Sequence, residues 1–231
     1  MSAAVETRAI SEHRPSGTSA VSDRAYNRAR TFAPVTKASN RGKSTGDHGG
    51  RGLDREGRRE LVSTRWGLAP YFWKKSLKEV PATFNARAET IVEKPMFRDS
   101  FKRRRCIIPA SGFFEWTDEA DGKQPHLFSA ADGSPILAFA GLWDRWIDPA
   151  SKEEILSCIV IVSGASEWMT RYHDRMPVLL RADDFDAWLN GSLGADALRP
   201  AAESALREWP VSRLVNRTGV GDDDPTSTLR A

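Results

Sequence analysis

Short runs of apolar residues with strand-like patterning follow one another along the chain after residue 58. RELVSTRW (59–66) alternates between apolar and polar positions, as a half-buried strand does. Further strands are predicted where β-branched and aromatic residues concentrate, at CIIPA (106–110), GFFEW (112–116), PHLFSA (125–130), ILAFAGLW (136–143) and ILSCIVIVS (155–163). Asp-Gly pairs at 121–122 and 132–133 indicate turns between them, and PVSRLV (210–215) predicts a late strand.

Three segments have helical patterns instead. ASEWMTRYH (165–173) suits a short helix, and DDFDAWLNG (183–191) suits another, with Asp183 as its N-cap and Gly191 as its C-terminal stop. DALRPAAESALREW (196–209) is helical in pattern but contains Pro200, which interrupts a helix. Many strands with scattered helices predict an α+β fold whose strands curl into a partial barrel.

The first 58 residues differ in composition from the rest. All eight tryptophans lie between Trp66 and Trp209, and residues 36–58 are mostly Gly, Ser, Arg, Lys, Asp and Thr. Such a segment cannot bury enough apolar surface to offset its chain entropy. We therefore expect residues 1–58 to be poorly ordered and one domain to span 59–231. A solvated linker is favoured here over a basic DNA-binding arm.

Composition and charge narrow the class of protein only slightly. The chain has 231 residues, of which 40% are hydrophobic and 28% charged, which suits one domain. It has no apolar run of about 20 residues and no secretory signal, so we expect a cytoplasmic protein without a membrane segment. Residues 1–58 carry eleven Lys/Arg against six Asp/Glu, and the remainder carries 23 against 25, so the small net charge of +3 is weak evidence for nucleic acid.

The two cysteines lie inside apolar runs, at Cys106 and Cys158. Buried thiols in a reducing compartment are favoured, and a disulfide stays open as the alternative. The spacing fits no metal site, so neither a metal nor a cofactor is expected.

Aromatic and charged side chains concentrate in RWGLAPYFW (65–73) and NARAET (85–90). Trp66 and Trp73 could stack on unpaired bases, but the strand phase of Trp66 favours a core position for it. Asn85, Arg87 and Glu89 share one face if their segment is extended. An amide beside a guanidinium suits a sugar-phosphate, although a loop with a surface salt bridge is the favoured interpretation from these residues alone.

The two other segments are RRRCIIPASGFFEW (103–116) and HDRMPVLL (173–180). Between Phe114 and Trp116, Glu115 would have a raised pKa and could move protons, and a water-facing glutamate is equally consistent. His173 could be an acid or base or an ordinary surface histidine, and His126 is expected to be structural. KRRR (102–105) could follow a phosphate backbone or be a solvated edge. These residues alone suggest a polar site with one Glu, one His and one Arg, and they do not indicate which reaction it would catalyse.

Taken together, the segments resemble the SOS-response-associated peptidase (SRAP) family. RWGLAP, FNARAET, FRDSFKRRRCIIPASGFFEW, FAGLWDRW and HDRMPVLL occur in the family's order, and the resemblance covers roughly residues 59–225 with the late VSRLVN included. Five co-linear motifs are a specific signal. The resemblance implies a single compact α+β domain with a β-rich, partly barrel-like core, peripheral helices and a positively charged groove.

The family's implied activity is covalent capture of abasic sites in single-stranded DNA during the DNA damage (SOS) response, by a monomer without a cofactor. Its nucleophile is a cysteine at residue 2, whose amine and thiol close a thiazolidine and which also processes its own N-terminus. Motif matching implies that Asn85, Glu115 and His173 are catalytic. It likewise implies that Arg87, Trp73 and Arg175 bind DNA.

The chain departs from the family at its start, which reads Met-Ser-Ala-Ala instead of Met-Cys-Gly-Arg, and its first cysteine is Cys106. We therefore expect an abasic-site lyase and SRAP-type peptidase by descent, with its cross-linking impaired. The alternatives are a non-catalytic single-stranded DNA binding protein and the product of a degenerate gene.

Overall fold

The computed structural model describes residues 34–37, 60–81 and 83–216. Over these ranges the chain forms strands in two sheets, two short α-helices and several 3₁₀ turns, so the predicted α+β class is confirmed. The strands are β1 (Pro34–Lys37), β2 (Glu60–Ser63), β3 (Arg65–Trp66), β4 (Asn85–Arg87), β5 (Arg105–Ala110), β6 (Phe113–Glu119), β7 (Gly122–Ala130), β8 (Leu137–Ile147), β9 (Glu154–Gly164), β10 (Arg175–Pro177) and β11 (Leu206–Pro210), and the helices are α1 (Arg98–Arg103) and α2 (Phe185–Asn190).

The larger sheet has eight strands and curls into a half-barrel. Its main path runs β10-β9-β8-β5-β1-β2, and β3 and β4 add to β9 in parallel. β9 is central, and its residues 157–163 are buried without interruption. That burial explains its continuous apolar sequence, since a strand covered on both faces has no water-facing side.

Alternating side chains of the larger sheet divide the core in two. Cys158, Val160 and Val162 of β9 belong to one cluster, which the smaller sheet β11-β7-β6 covers with Phe113 and Phe128. The intervening Ile159 and Ile161 belong to the second cluster, which the two α-helices cover. The domain is therefore three layers, in the order small sheet, large sheet and helices.

Segments 165–173 and 183–191 were predicted as helices and are helical in part. The first contains a 3₁₀ turn at Glu167–Arg171. In the second, a 3₁₀ turn at Ala182–Asp184 precedes α2, so Asp183 is not the N-cap. Gly191 ends α2 as predicted, with the positive φ of 89° that glycine adopts without strain.

The helix predicted over residues 196–209 is wrong. Two 3₁₀ turns lie at Ala195–Ala197 and Glu203–Ala205, and the chain then enters β11, which pairs with β7. Pro200 prevents a continuous helix, and Leu206 is buried between the sheets while Arg207 is exposed. This alternation of buried and exposed side chains is that of a strand. The late strand therefore lies at 206–210 and not at the predicted 210–215.

The N-terminal boundary of the domain differs from the prediction at one described element. β1 pairs with β2 and β5, so Thr36 and Lys37 are strand residues although their segment was predicted to be poorly ordered. The rest of residues 1–58 lies outside the described ranges, so the predicted division at residue 58 stays a prediction. Among the described helices, none is long and apolar enough to cross a membrane.

Candidate functional site

Asn85 and Arg87 lie on the face of the larger sheet that the smaller sheet covers. β4 pairs with the end of β9, with Asn85 opposite Val160 and Arg87 opposite Val162. Ala86, between them, belongs to the helix-side core cluster. Because side chains alternate along a strand, Asn85 and Arg87 therefore face the layer between the sheets.

Glu89 connects the NARAET segment (85–90) to residues 173–177, here called the HDRMP segment. Its Oε1 accepts a hydrogen bond from Nη1 of Arg175 at 2.7 Å and another from the backbone N–H of Gly164 at 3.1 Å. Partial burial raises the pKa of Glu89, but hydrogen bonds from its own and the Gly164 backbone N–H, together with the charge of Arg175, hold that pKa below its usual value. The contact fixes β10 against the end of β9.

Glu115 enters the same layer from the smaller sheet. It is 2% exposed and shares the inner face of β6 with Phe113, which belongs to the core cluster between the sheets. Burial, and secondly the negative charge of Asp174, raise the pKa of Glu115 well above its usual value. Both effects disfavour the charged form of this carboxyl, and the effect of Asp174 indicates that Glu115 lies near the HDRMP segment (173–177).

His173 is oriented by the backbone that follows it. The N–H of Arg175 donates to Nδ1 of His173 at 2.9 Å, and the Asp174 carboxylate lies 3.2 Å from the same nitrogen. Nδ1 also lies 3.2 Å from the carbonyl oxygen of Arg175, so it can accept from the N–H in one tautomer or donate to the carbonyl or the carboxylate in the other, and the ring is oriented in either case. About a quarter of the side chain, 24%, is exposed, so the ring is open to a ligand.

Two of the implied catalytic residues have a buried oxygen without a partner. Oδ1 of Asn85 and Oε1 of Glu115 make no hydrogen bond within the described residues. Buried polar atoms are nearly always paired, because leaving one unpaired costs about 1–3 kcal/mol. Unpaired oxygens on two elements facing one layer are the arrangement expected where a polar ligand binds.

Of the six residues singled out from the sequence, strand register and hydrogen bonds place Asn85, Arg87, His173 and Arg175 near the end of β9, and the charge of Asp174 acts on Glu115. Trp73 is the exception. Its carbonyl accepts a hydrogen bond from the indole of Trp146, which pairs with Ile155 near the start of β9. Gly164, the β9 residue that pairs with Arg175, is nine residues from Ile155, or about 30 Å along the strand. Trp73 therefore lies far from Arg175.

The other candidates from the sequence are mostly structural. Trp66 packs against the core between the sheets and donates to the Phe84 carbonyl, as its strand phase predicted. KRRR (102–105) is not one phosphate-binding surface, because Arg104 pairs with Asp144 and Arg105 is buried against Phe101.

Both cysteines are free and buried, with 0% of Cys106 and 3% of Cys158 exposed. Burial raises the pKa of Cys158 to about 11 and that of Cys106 well above its usual value. A thiol that is neither accessible nor ionised is not a nucleophile. The part of the chain that the structure describes therefore supplies no reactive thiol.

His126 is structural, as expected, but its network was not predicted. Its Nδ1 contacts the Glu208 carboxylate, and its Nε2 lies 3.0 Å from the Thr117 hydroxyl. Tyr172, the residue before His173, packs edge-on against the His126 ring, with the ring centroids 5.0 Å apart. The network ties the HDRMP segment to the smaller sheet, and no local sequence signal shows that Glu208 reaches His126.

Fold and site together define an α+β domain with a buried carboxyl group of raised pKa between two sheets. The family model described as SOS response associated peptidase (SRAP) matches residues 3–218, and the chain belongs to this family. Within the described ranges, no three His, Cys, Asp or Glu residues are grouped as metal ligands.

Relatives and solved structures agree with this assignment. The abasic site processing protein YoaM of Bacillus subtilis (strain 168) is 38% identical over 161 residues, which cover 68% of this chain and 70% of YoaM. The abasic site processing protein HMCES of Xenopus tropicalis is 34% identical over 183 residues, which cover 69% of this chain and 55% of HMCES. A solved structure from Bacteroides thetaiotaomicron superposes with a TM-score of 0.66 at 30% identity, covering 75% of this chain and 77% of that one.

Proposed function

We propose that this protein processes abasic sites in single-stranded DNA, with Glu115 as the residue that moves protons. The observation that carries the proposal is the Glu115 carboxyl itself, which is buried, has a raised pKa and makes no hydrogen bond at Oε1 with the described residues. The names of the relatives support the substrate, because they are abasic site processing proteins.

The chemistry of an abasic site calls for such a group. The closed sugar opens to an aldehyde when a proton moves from the C1 hydroxyl to the ring oxygen. An amine then adds to the aldehyde, and the hydroxyl leaves as water when it receives a proton. A protonated carboxyl in a water-poor layer can deliver these protons and take them back.

The neighbouring side chains have roles that follow from their contacts. Oδ1 of Asn85 would accept a hydrogen bond from a sugar hydroxyl or from the attacking amine. Nε2 of His173 would exchange a proton with the same substrate, while Arg175 holds the ring through Nδ1. Arg87 is exposed and makes no ion pair with the described residues, so its guanidinium would bind a phosphate.

The nucleophile in this proposal is an amine. The chain contains two cysteines, both buried, so no thiol is available to close a stable ring on the imine. An imine alone is reversed by water. The adduct should therefore survive denaturation only after borohydride reduces it.

The test is incubation of the full chain with single-stranded DNA containing one abasic site, followed by denaturing electrophoresis. We expect an adduct with borohydride and none without it. A heat-stable adduct without reductant would contradict the amine mechanism. Binding that persists without any trappable adduct would instead identify a non-catalytic single-stranded DNA binding protein.

A further inference from the structure

The outer face of the smaller sheet carries a cavity that the proposed site does not use. Side chains alternate along β6, so Phe114 points away from the layer that contains Phe113 and Glu115. The cavity on this side has a volume of about 270 Å³, and its wall includes Phe114, Leu127, Ser129, Ser134, Arg207 and Trp209.

The strand register explains why these side chains meet. Arg207 lies opposite Ser129, Trp209 lies opposite Leu127, and Leu127 lies opposite Phe114, so their side chains form adjacent rows on one face. Next along the same face, Val211 and Val215 pack onto Phe114, while Ser129 lines the cavity. Gly112 also lines the cavity, and a side chain there would collide with the backbone carbonyl of Phe128.

The guanidinium of Arg207 is held in place at this cavity. Its Nε donates to the hydroxyl of Ser129 at 2.9 Å, and Ser129 is only 6% exposed. The guanidinium carbon lies 5.3 Å from the ring centroid of Trp209. Within the described ranges no carboxylate pairs with Arg207, so among these residues the cation at the cavity has no counter-charge.

We propose that this cavity binds one nucleotide, with its base against Phe114 and Trp209 and its phosphate on Arg207. A planar base matches the aromatic wall, and the terminal N–H groups of a guanidinium match two phosphate oxygens. The volume is just below the range of about 300–1,000 Å³ for drug-sized ligands, so it admits one nucleotide and no longer segment.

Other ligand classes fit the cavity less well. A bare anion would leave the aromatic wall exposed to water. An apolar ligand would cover Arg207 without supplying a charge, which is costly. The nucleotide is therefore the class that uses both the aromatic wall and the cation, and the hydroxyls of Ser111 and Ser134 at the rim suit its polar edges.

The test is calorimetric titration of the full chain with dAMP. The variants are Arg207→Gln, Arg207→Lys and the control Arg199→Gln, whose arginine is exposed and, among the described residues, donates to the Asp196 carbonyl. We expect dAMP to bind the wild type, Arg207→Gln to weaken binding about tenfold or more, Arg207→Lys to weaken it less, and Arg199→Gln to leave it unchanged. Melting curves establish that each variant is folded.

Three results would overturn the proposal: no binding of millimolar dAMP to the wild type, equal affinity in Arg207→Gln, or inorganic phosphate binding as tightly as dAMP. A single-stranded oligonucleotide without an abasic site then distinguishes the two sources of nucleotide. Competition with dAMP indicates a nucleotide within a strand, and its absence indicates a free nucleotide. Glu115→Gln should retain dAMP binding, so failure of abasic-site processing and failure of this site are separate outcomes.

Discussion

Asp144 of the larger sheet and Glu115 of the smaller sheet are buried to the same degree, with 1% and 2% exposed. Asp144 is fully partnered: Oδ1 lies 3.0 Å from Nε of Arg104 and accepts the Arg145 N–H, and Oδ2 accepts from Ser100 and the Tyr71 N–H. Glu115 has an unpaired Oε1 and the negative Asp174 nearby.

The difference distinguishes a structural carboxylate from the one proposed to be functional. Burial raises the pKa of Asp144, but Arg104 and the hydrogen bonds act against burial and favour its charged form. The pKa of Glu115 has no such lowering cause, so its surroundings oppose ionisation. A group that destabilises the fold in this way is expected where a ligand supplies the missing partner.

The largest expected effect is on the proposed activity of Glu115→Gln. Glutamine keeps the size of the side chain but cannot transfer the proton, so the rate of borohydride-trapped adduct formation should fall by about 10²–10⁴-fold. Asp118→Asn is the matched control, because Asp118 lies on the same strand and its side chain is 83% exposed. An unchanged rate in Glu115→Gln would remove this carboxyl from the chemistry.

For the free energy of unfolding, we expect the large effect at Asp144 and not at Glu115. Asp144→Asn leaves Arg104 without its counter-charge, and breaking a buried ion pair costs about 3–5 kcal/mol of the free energy of unfolding. Because 20% of the Arg104 side chain reaches water, we expect the lower end of this range. Glu154→Gln, which breaks the more exposed pair with Arg145, should cost less than about 1 kcal/mol. Urea denaturation measures both, and equal losses would contradict the distinction.

The strands that carry Asp144 and Glu115 could be predicted from the sequence, but the partners of these two carboxyl groups could not. The apolar run of β9 and the aromatic run around Glu115 predicted their strands, because burial imposes local patterns. The partners of Asp144 come from three separate segments, at Tyr71, Ser100–Arg104 and Arg145, and no local pattern shows that they meet.

The candidate site was predictable to a different extent. The motifs identified the candidate residues. That the NARAET and HDRMP segments meet follows only from the structure, in which both pair with β9 near its end. Arg105, beside two surface residues in KRRR, is buried because α1 and α2 pack around it, which composition cannot reveal. The strand β11 was missed because Pro200 and helix-forming residues precede it.

A smaller effect concerns how stability depends on pH. The pKa of Glu115 is higher in the folded state than in the unfolded chain, so the folded state holds an extra proton between those two values. Stability should therefore fall as pH rises above the unfolded pKa of about 4.3. Glu115→Gln should remove this loss and raise the melting temperature more at pH 8 than at pH 5. Each 1 kcal/mol regained corresponds to about 2–4 °C in a domain of this size.

The control for this experiment is again Asp118→Asn, which should shift the melting temperature equally at both pH values because its side chain is exposed. A variant Glu115→Gln that melts lower than the wild type at pH 8 would show that the carboxyl is ionised and paired. The contrast with Asp144 would then disappear.

The smallest expected effect is the coupling between Glu89 and Arg175, whose side chains are 52% and 25% exposed. Water screens such a pair, so a double-mutant cycle with Glu89→Gln and Arg175→Gln should give about 0.2–1 kcal/mol, and less at high salt. The pKa of Glu89 is lowered in the folded state, so its contribution is present above the unfolded pKa and is lost as pH falls through the folded value. Coupling above about 2 kcal/mol, insensitive to salt, would place this pair with Asp144 and Arg104 among the partnered, structural groups. A weak, salt-sensitive coupling would leave Arg175 free to exchange Glu89 for a phosphate when DNA binds. Arg104 has no such freedom, because it is held by Asp144, which has four partners.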